Sequence, residues 1–307
     1  MDAEFPVMLS AGEALTDMIA CGHGQWRSVV GGSTWNVARS MAKLGLSTGF
    51  AGAVSKDLFG QELLRASADA GLDLRLLQQY ERPPLLAIVG ESTPPDYFFI
   101  GSDSADLHFD PAQLPTGWSS RLQWAHFGGI SLARQPLAGK LVGLARQLKA
   151  QGVKISYDPN FRNNMHADYD ATLHEMGRLA DLIKVSDDDL RGLFRCDDAD
   201  LAFKQLRAIN PAATVLYTRG ELGASLHIEE SVWRADALKV AVADTIGAGD
   251  ASIAGLLYSL FMHPERAPEN HLRFALAAGA AACMASGAQA PGLQQIEALY
   301  KGPYKKN

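Results

Sequence analysis

The sequence predicts an α/β fold: a mostly parallel sheet covered by helices on both faces. Three observations predict it. Short apolar runs of strand type alternate with segments of helical period. Polar or glycine-rich clusters follow several of the strands, where open parallel sheets bind ligands. The chain has 307 residues, 47 % of them apolar. A chain of that size buries roughly three-quarters of its unfolded surface, so its core needs no disulfide or metal staple.

Taken in order, residues 7–11 form the first strand-like run. Residues 25–30 and 85–100 read as strands with no helix between turn signals. The second stretch is bracketed and interrupted by Pro83, Pro84, Pro94 and Pro95 and carries Tyr97, Phe98 and Phe99. The two are either edge strands of the main sheet or a small separate β layer. Residues 36–44 place Val37, Met41 and Leu44 on one helical face, and Gly45 closes the segment. Residues 49–54 form a strand; 136–150 put Leu137, Leu141, Leu144 and Leu148 on one helix face before Gly152. Strands follow at 153–157, 182–185 and 214–217, and a helical apolar run at 253–261. Residues 274–284 are apolar and rich in Ala and Gly, too short for a membrane span and suited to a tightly packed buried helix. No internal repeat or low-complexity segment interrupts this order.

Composition excludes several classes. Lys plus Arg number 28 and Asp plus Glu 34, a net charge of −6, which argues against a general nucleic-acid binder. A local basic site stays open. Cys21, Cys196 and Cys283 are far apart with no CxxC pair, so neither a zinc knuckle nor a disulfide framework is written here. The opening MDAEFPVML lacks the basic start and long apolar run of a signal peptide. The expectation is a soluble cytoplasmic protein with neither a membrane nor a nucleic-acid partner.

The chemistry lies at the strand ends. Gly12, Glu13 and then Asp17 follow the first strand; Asp158-Pro159-Asn160-Phe161-Arg162, Ser186-Asp187-Asp188-Asp189 and Thr218-Arg219-Gly220-Glu221-Leu222-Gly223 follow three others. The cluster Asp244-Thr245-Ile246-Gly247-Ala248-Gly249-Asp250 leads straight into an apolar helix. Glycines at a helix start let backbone N–H groups approach an anion, and the helix dipole adds to the attraction. Asp250 is then a carboxylate beside a bound phosphate. Gly31 and Gly32 precede a second helix whose first turn carries Asn36, an amide suited to a polyol hydroxyl. GxxxxGK[ST], a GxGxxG after the first strand, HExxH, EF-hand and protein-kinase motifs are all absent.

With these residues in place, 244–250 resembles the C-terminal DTxGAGD signature of the PfkB/ribokinase family of carbohydrate kinases. Gly31-Gly32 with Asn36 and Ala38 is similar to that family's GGxxxNxA motif. Residues 126–132, 158–162, 184–189 and 218–223 follow in family order, so the resemblance covers nearly the whole chain. Residues 12–17 and the HFGGISL stretch look most like bacterial fructokinases.

The resemblance implies a ribokinase-like three-layer α/β/α core with a mostly parallel central sheet. It also implies a small β-strand lid from about 16–30 and 84–102, inserted in a single kinase domain, and a homodimer through that lid. The implied reaction moves the ATP γ-phosphoryl to a sugar hydroxyl, most like fructose to fructose 6-phosphate. Asp250 would be the base, and the N–H groups of Gly247, Ala248, Gly249 and Asp250 the anion hole. Asp17, Gly31, Gly32, Asn36 and Arg162 would meet the sugar. Lys184, Ser186, Thr218, Gly220 and Gly223 would meet the nucleotide. Asp189, with Asp187, would hold Mg²⁺ through water. Asp244, the Ile246 carbonyl and carbonyls near Gly287 would hold a monovalent cation such as K⁺. The alternatives are a 2-keto-3-deoxygluconate, ribose or nucleoside kinase, and a catalytically silent sugar-binding regulator. Intact Asp250 and both glycine pairs speak against the last.

Six positions depart from the family pattern. Asp189 stands where Glu is usual, and Ser186 where ribokinases have Asn. Leu276 replaces an Asn that contacts adenine. Ile100-Gly101 occupies the place of the aromatic–Arg pair of many fructokinases. His166 sits where Trp is common.

Overall fold

A computed structural model describes residues 4–90 and 97–302. Pro94, Pro95 and the first three residues of the chain, named in the sequence reading, lie outside the described residues. In chain order the elements are β1 (Met8–Ala11), β2 (Leu15–Ala20), β3 (Trp26–Gly31), α1 (Ser33–Lys43), β4 (Thr48–Ser55), α2 (Leu58–Asp69), β5 (Leu77–Tyr80), β6 (Leu86–Val89), β7 (Tyr97–Ile100), β8 (Trp124–Gly128), α3 (Leu137–Ala150), β9 (Lys154–Asp158), α4 (Asp170–Leu179), β10 (Leu182–Ser186), α5 (Asp187–Phe194), α6 (Ala199–Ile209), β11 (Thr214–Thr218), β12 (Ala224–Ile228), β13 (Ser231–Ala235), α7 (Ala248–Met262), α8 (Pro268–Cys283) and α9 (Leu293–Tyr300).

The main sheet has nine strands in the order β13-β12-β11-β10-β9-β8-β1-β4-β5. It is parallel from β5 to β11, with β12 and β13 added as an antiparallel edge. Its inner strands β1, β4 and β8 are buried throughout, as strands sandwiched between helices must be. On one face, α3, α4, α5 and α6 pack through Leu141, Met176, Leu190 and Leu206. On the other, α1, α7, α8 and α9 pack through Val37, Leu256, Phe274 and Ile296. The expected α/β class with helices on both faces is thus the observed one.

The parallel pairing brings the ends of β1, β8, β9, β10 and β11 to one edge. Strand order reverses around β1, which lies between β4 and β8, and such switch points open a crevice. The stretches left open by pattern make a sheet of their own, ordered β3-β2-β6-β7. It joins the chain beside that crevice.

Some elements escape pattern reading. β8 reads Trp-Ala-His-Phe-Gly, and its buried His126 breaks the apolar run. Helix α1 begins at Ser33, three residues before the expected Asn36, because Gly32 as N-cap adopts φ 111°. The expected 253–261 run lies inside the longer α7, which is buried on nearly all sides. α8 takes in most of the expected apolar 274–284 stretch. Two glycines let these helices close: a Cβ on Gly255 would stand 2.5 Å from the Ala278 Cβ, and one on Gly279 would stand 2.3 Å from Ser252 Oγ. That contact sets the height of the α7 N-terminus above the sheet edge. Among the described residues no helix is long and apolar enough to cross a membrane.

Close backbone approach also fixes the crevice floor. A Cβ on Gly128 would lie 2.1 Å from the Asp158 carbonyl oxygen. Gly128→Ala is therefore expected to destabilise the protein by more than about 1–3 kcal/mol, the usual cost of overpacking. Gly143→Ala, in the open middle of α3 with nothing within 4 Å, should instead stabilise by about 0.5–1 kcal/mol. Urea melts of the two variants against wild type check both signs.

Candidate active site

One cavity of about 1060 Å³ opens along the sheet edge. It is lined by Asp17, Gly32, Asn36 and Arg162, by Lys184 and Ser186, by Thr218, Gly220 and Gly223, and by 245–250. Residues expected at a sugar, at a nucleotide and at an anion hole therefore share one space. Gly31, Asp189 and Asp244 do not line it. A second cavity of about 1200 Å³ adjoins it, and Phe99, Arg162, Asp188 and Thr245 border both.

Asp250 sits in the first turn of α7, behind Gly247 as a left-handed N-cap with φ 79°. The Ala248 N–H is donated to the Thr245 carbonyl at 3.2 Å. The next two N–H groups, on Gly249 and Asp250, have no acceptor within a helix start. The Asp250 carboxylate is held from α1: Ser33 Oγ donates to Oδ1 at 2.7 Å and Asn36 Nδ2 to Oδ2 at 2.9 Å. Burial raises the Asp250 pKa above the ordinary carboxylate value, opposed by these two bonds and by the charges of Lys184 and Arg162. Asn36 was expected to meet a sugar with its amide. Its nitrogen orients Asp250, while its buried Oδ1 has no hydrogen-bond donor among the described residues. Ser33 was missed by sequence reasoning, although it directly follows the two glycines that were singled out.

Asp17 projects from β2 into the same cavity. Burial raises its pKa to about 6, with Arg162 opposing and Asp250 adding to the rise. Gly31 serves Asp17 rather than a ligand directly, since a Cβ there would lie 2.3 Å from Asp17 Oδ2. Gly32 passes so close to the loop between β1 and β2 that a Cβ would meet the Glu13 carbonyl at 2.7 Å. Glu13 accepts the N–H of Ser33 and of Ser131, both at 3.2 Å. It ties the α1 start to the loop after β8. Its burial raises its pKa to about 7.

The model of the pfkB family carbohydrate kinases matches residues 9–296. The chain belongs to that family. It is 31 % identical over 292 residues to a fructokinase of Klebsiella pneumoniae, covering 90 % of this chain and 93 % of the relative. A Xylella fastidiosa fructokinase with bound ATP superposes with a TM-score of 0.86 at 26 % identity, over 95 % of this chain and 97 % of that one. An aminoimidazole riboside kinase from Salmonella enterica, complexed with aminoimidazole riboside and an ATP analogue, superposes at 0.84 and 26 % identity, over 96 % and 99 %. The protein is a carbohydrate kinase with a ribokinase-like fold.

In this kinase the acidic cluster after β10 divides into three roles. Ser186 caps α5 and exchanges bonds with Asp189: the Asp189 N–H reaches Ser186 Oγ at 3.1 Å, and the Ser186 N–H reaches Asp189 Oδ2 at 2.8 Å. Asp189 Oδ1 accepts the Phe161 N–H at 2.8 Å. Both of its oxygens are thus engaged inside the protein, an arrangement that does not suit the expected water-mediated hold on magnesium. Asp187 accepts the Tyr217 hydroxyl, and Asp188 alone points to solvent. Among the described residues no three His, Cys, Asp or Glu side chains group as metal ligands.

Lys184 proves more central than its place in the sequence suggested. Its side chain is only 7 % exposed and meets Asp158 at 3.1 Å and Asp189 at 3.6 Å. A Cβ on Gly249 would stand 3.0 Å from its ammonium, so the lysine lies directly beneath the α7 N-terminus. Burial lowers its pKa, but Asp158, Asp189 and Asp250 outweigh that and keep it charged. Burial lifts Asp158 to about 7 while Lys184 pulls it down. A buried charge stripped of its partner typically costs about 3–5 kcal/mol. Lys184→Met is therefore expected to lose about that much stability in chemical denaturation; a wild-type midpoint would refute the buried pairing.

Proposed function

We propose that this kinase transfers the γ-phosphoryl of ATP to the 6-hydroxyl of fructose, with Asp250 as general base. The single observation that supports it best is the placement of Asp250. It is a buried carboxylate with a raised pKa, braced by two donors, in the first turn of a helix that opens on a cavity shared by both substrate clusters. Phosphoryl transfer needs positioning and charge neutralisation more than covalent help. Asp250 takes the proton of the acceptor hydroxyl. The N–H groups of Gly249 and Asp250, the α7 dipole and the Lys184 ammonium stabilise charge on the transferred group. Arg162 and Asp17 orient the acceptor. Thr218, Gly220 and Gly223 support the nucleotide; the φ values of 53° and 87° at the two glycines keep that turn tight. Mg²⁺ would arrive on the ATP phosphates with its own waters, since it binds proteins sparingly. An ATP-using enzyme with three free cysteines suits the cytoplasm.

The choice of fructose is supported by the identity to fructokinases over most of the chain. A second reading, a riboside acceptor, is favoured by the cavity side of the small sheet. There Leu15, Ile19, Val29, Ala87, Val89 and Phe99 surround Asp17, an apolar wall suited to a flat base. A panel of sugars and ribosides, read by ADP release, decides between them.

Asp250→Asn should fold and lose about 10²–10⁴ in turnover, the usual worth of a general base. In wild type, activity should fall as pH drops through the raised Asp250 pKa, because the protonated acid accepts no proton. The acid limb of kcat/KM should therefore lie above the ordinary carboxylate range, and KM for the acceptor should rise as Asp17 protonates near pH 6. Retained turnover in Asp250→Asn, or an acid limb at the ordinary value, would overturn the assignment.

The small sheet would act as a lid, and its outer face would pair with a second copy. Trp26, Phe98 and Ile100 on that face are 50 %, 56 % and 51 % exposed, and exposed apolar patches of this kind mark interfaces. Sedimentation should give a dimer for wild type and a monomer for Trp26→Glu combined with Phe98→Glu. A monomeric wild type refutes the pairing.

A further inference from the structure

The segment around Gly287 and Ala288 forms part of the cavity wall and is gripped from two sides. From one side Asp244 holds it: Oδ2 accepts the Gly287 N–H at 2.9 Å, while Oδ1 accepts the Ile246 N–H at 3.0 Å. From the other side Arg39 of α1 donates Nη2–H to the Ala288 carbonyl at 2.5 Å. The guanidinium lies over the Trp35 ring, 4.2 Å from its centroid. Trp35 is itself fully buried and anchored by its Nε1–H to Ser67 at 2.9 Å. Arg39 is therefore a fixed cation. Burial lowers its pKa to about 10, against the pull of Asp250, so it stays charged at neutral pH.

What Arg39 grips touches the anion hole. A Cβ on Gly247 would stand 3.0 Å from the Ala288 Cβ, so Ala288 abuts the N-cap of α7. The path from Arg39 through Ala288 to Gly247 is contact throughout.

The family resemblance assigns this place to a monovalent cation, held by Asp244, the Ile246 carbonyl and carbonyls near Gly287. The residues present do not fit that ion. Each Asp244 oxygen already spends one lone pair on an N–H group, and the Ala288 carbonyl, next to Gly287, faces a guanidinium. A fixed positive charge at hydrogen-bond distance from a would-be ligand repels a second cation in a poorly screened interior.

We infer that Arg39 is a positioning residue that supplies a built-in cation: it holds residues 287–288 against Gly247, and the kinase consequently works without a monovalent metal ion. The inference rests on the reading of the Gly249 and Asp250 N–H groups, behind Gly247, as the anion hole.

The test compares wild type, Arg39→Lys and Arg39→Met in potassium chloride and in tetramethylammonium chloride at equal ionic strength. Wild-type kcat should differ by less than about twofold between the salts. Its melting temperature without substrates should show no rise specific to potassium. Arg39→Met should lose roughly 10–100-fold in kcat in tetramethylammonium, the scale of a small misplacement, and recover part of it in potassium. Its substrate-free melt should then gain a potassium-specific rise, and Arg39→Lys should fall between the two. Strong potassium activation of wild type, a potassium-specific rise in its melt, or an Arg39→Met enzyme with unchanged kcat and salt response would each overturn the inference. The wild-type measurements decide even if Arg39→Met does not fold. An active Asp250→Asn would refute the general-base reading of this site, whereas the substrate-free melts judge Arg39 separately.

Discussion

Two helix N-termini meet on one carboxylate, and the rest of the site depends on that meeting. Asp250, in the first turn of α7, accepts from Ser33 and Asn36 in the first turn of α1. Helix starts carry partial positive charge and unsatisfied N–H groups. Two of them brought together would be unfavourable without an anion between. Asp250 provides it in the free protein. Its raised pKa reflects burial, and the two donors offset part of that cost. The carboxylate that packs the helices together is thus the same group proposed as the general base.

This junction is held from below and behind. From below, Lys184 rises from β10 to the underside of Gly249, and Asp158 and Asp189 keep it charged. A lone lysine at such depth would shed its proton; three nearby carboxylates prevent that. From behind, Gly255 and Gly279 allow α8 to press against α7. The N-terminus is accordingly set by close packing and by charge pairs, both stiffer than a surface loop.

Much of the fold was legible because parallel sheets impose a simple pattern. Buried strands read as apolar runs, and helix faces repeat at helical spacing. The pattern failed where buried polar groups, close backbone approach or sheet edges intruded. His126 and Gly128 interrupt β8, and the antiparallel pair β12–β13 lies partly in solvent, where apolar character is not demanded. The family resemblance implies a water-mediated magnesium role for Asp189, at a position where Glu is usual. Spacing alone does not distinguish an acid facing a cavity from one closing a capping box, since both sit at a helix start.

By itself, then, the sequence determined which loops carry chemistry, where glycine must stand and which family the chain belongs to, because these depend on local backbone demands and on residue order. Tertiary structure alone decided which atoms meet. Ser33 reaches Asp250 across 217 residues and Arg39 reaches Ala288 across 249, and no local spacing encodes such pairs. They follow from sheet register and helix packing, which set where each side chain points and how far it is removed from water. Burial, in turn, makes Asp250 a carboxylate of raised pKa, Lys184 a paired charge and Arg39 a fixed cation.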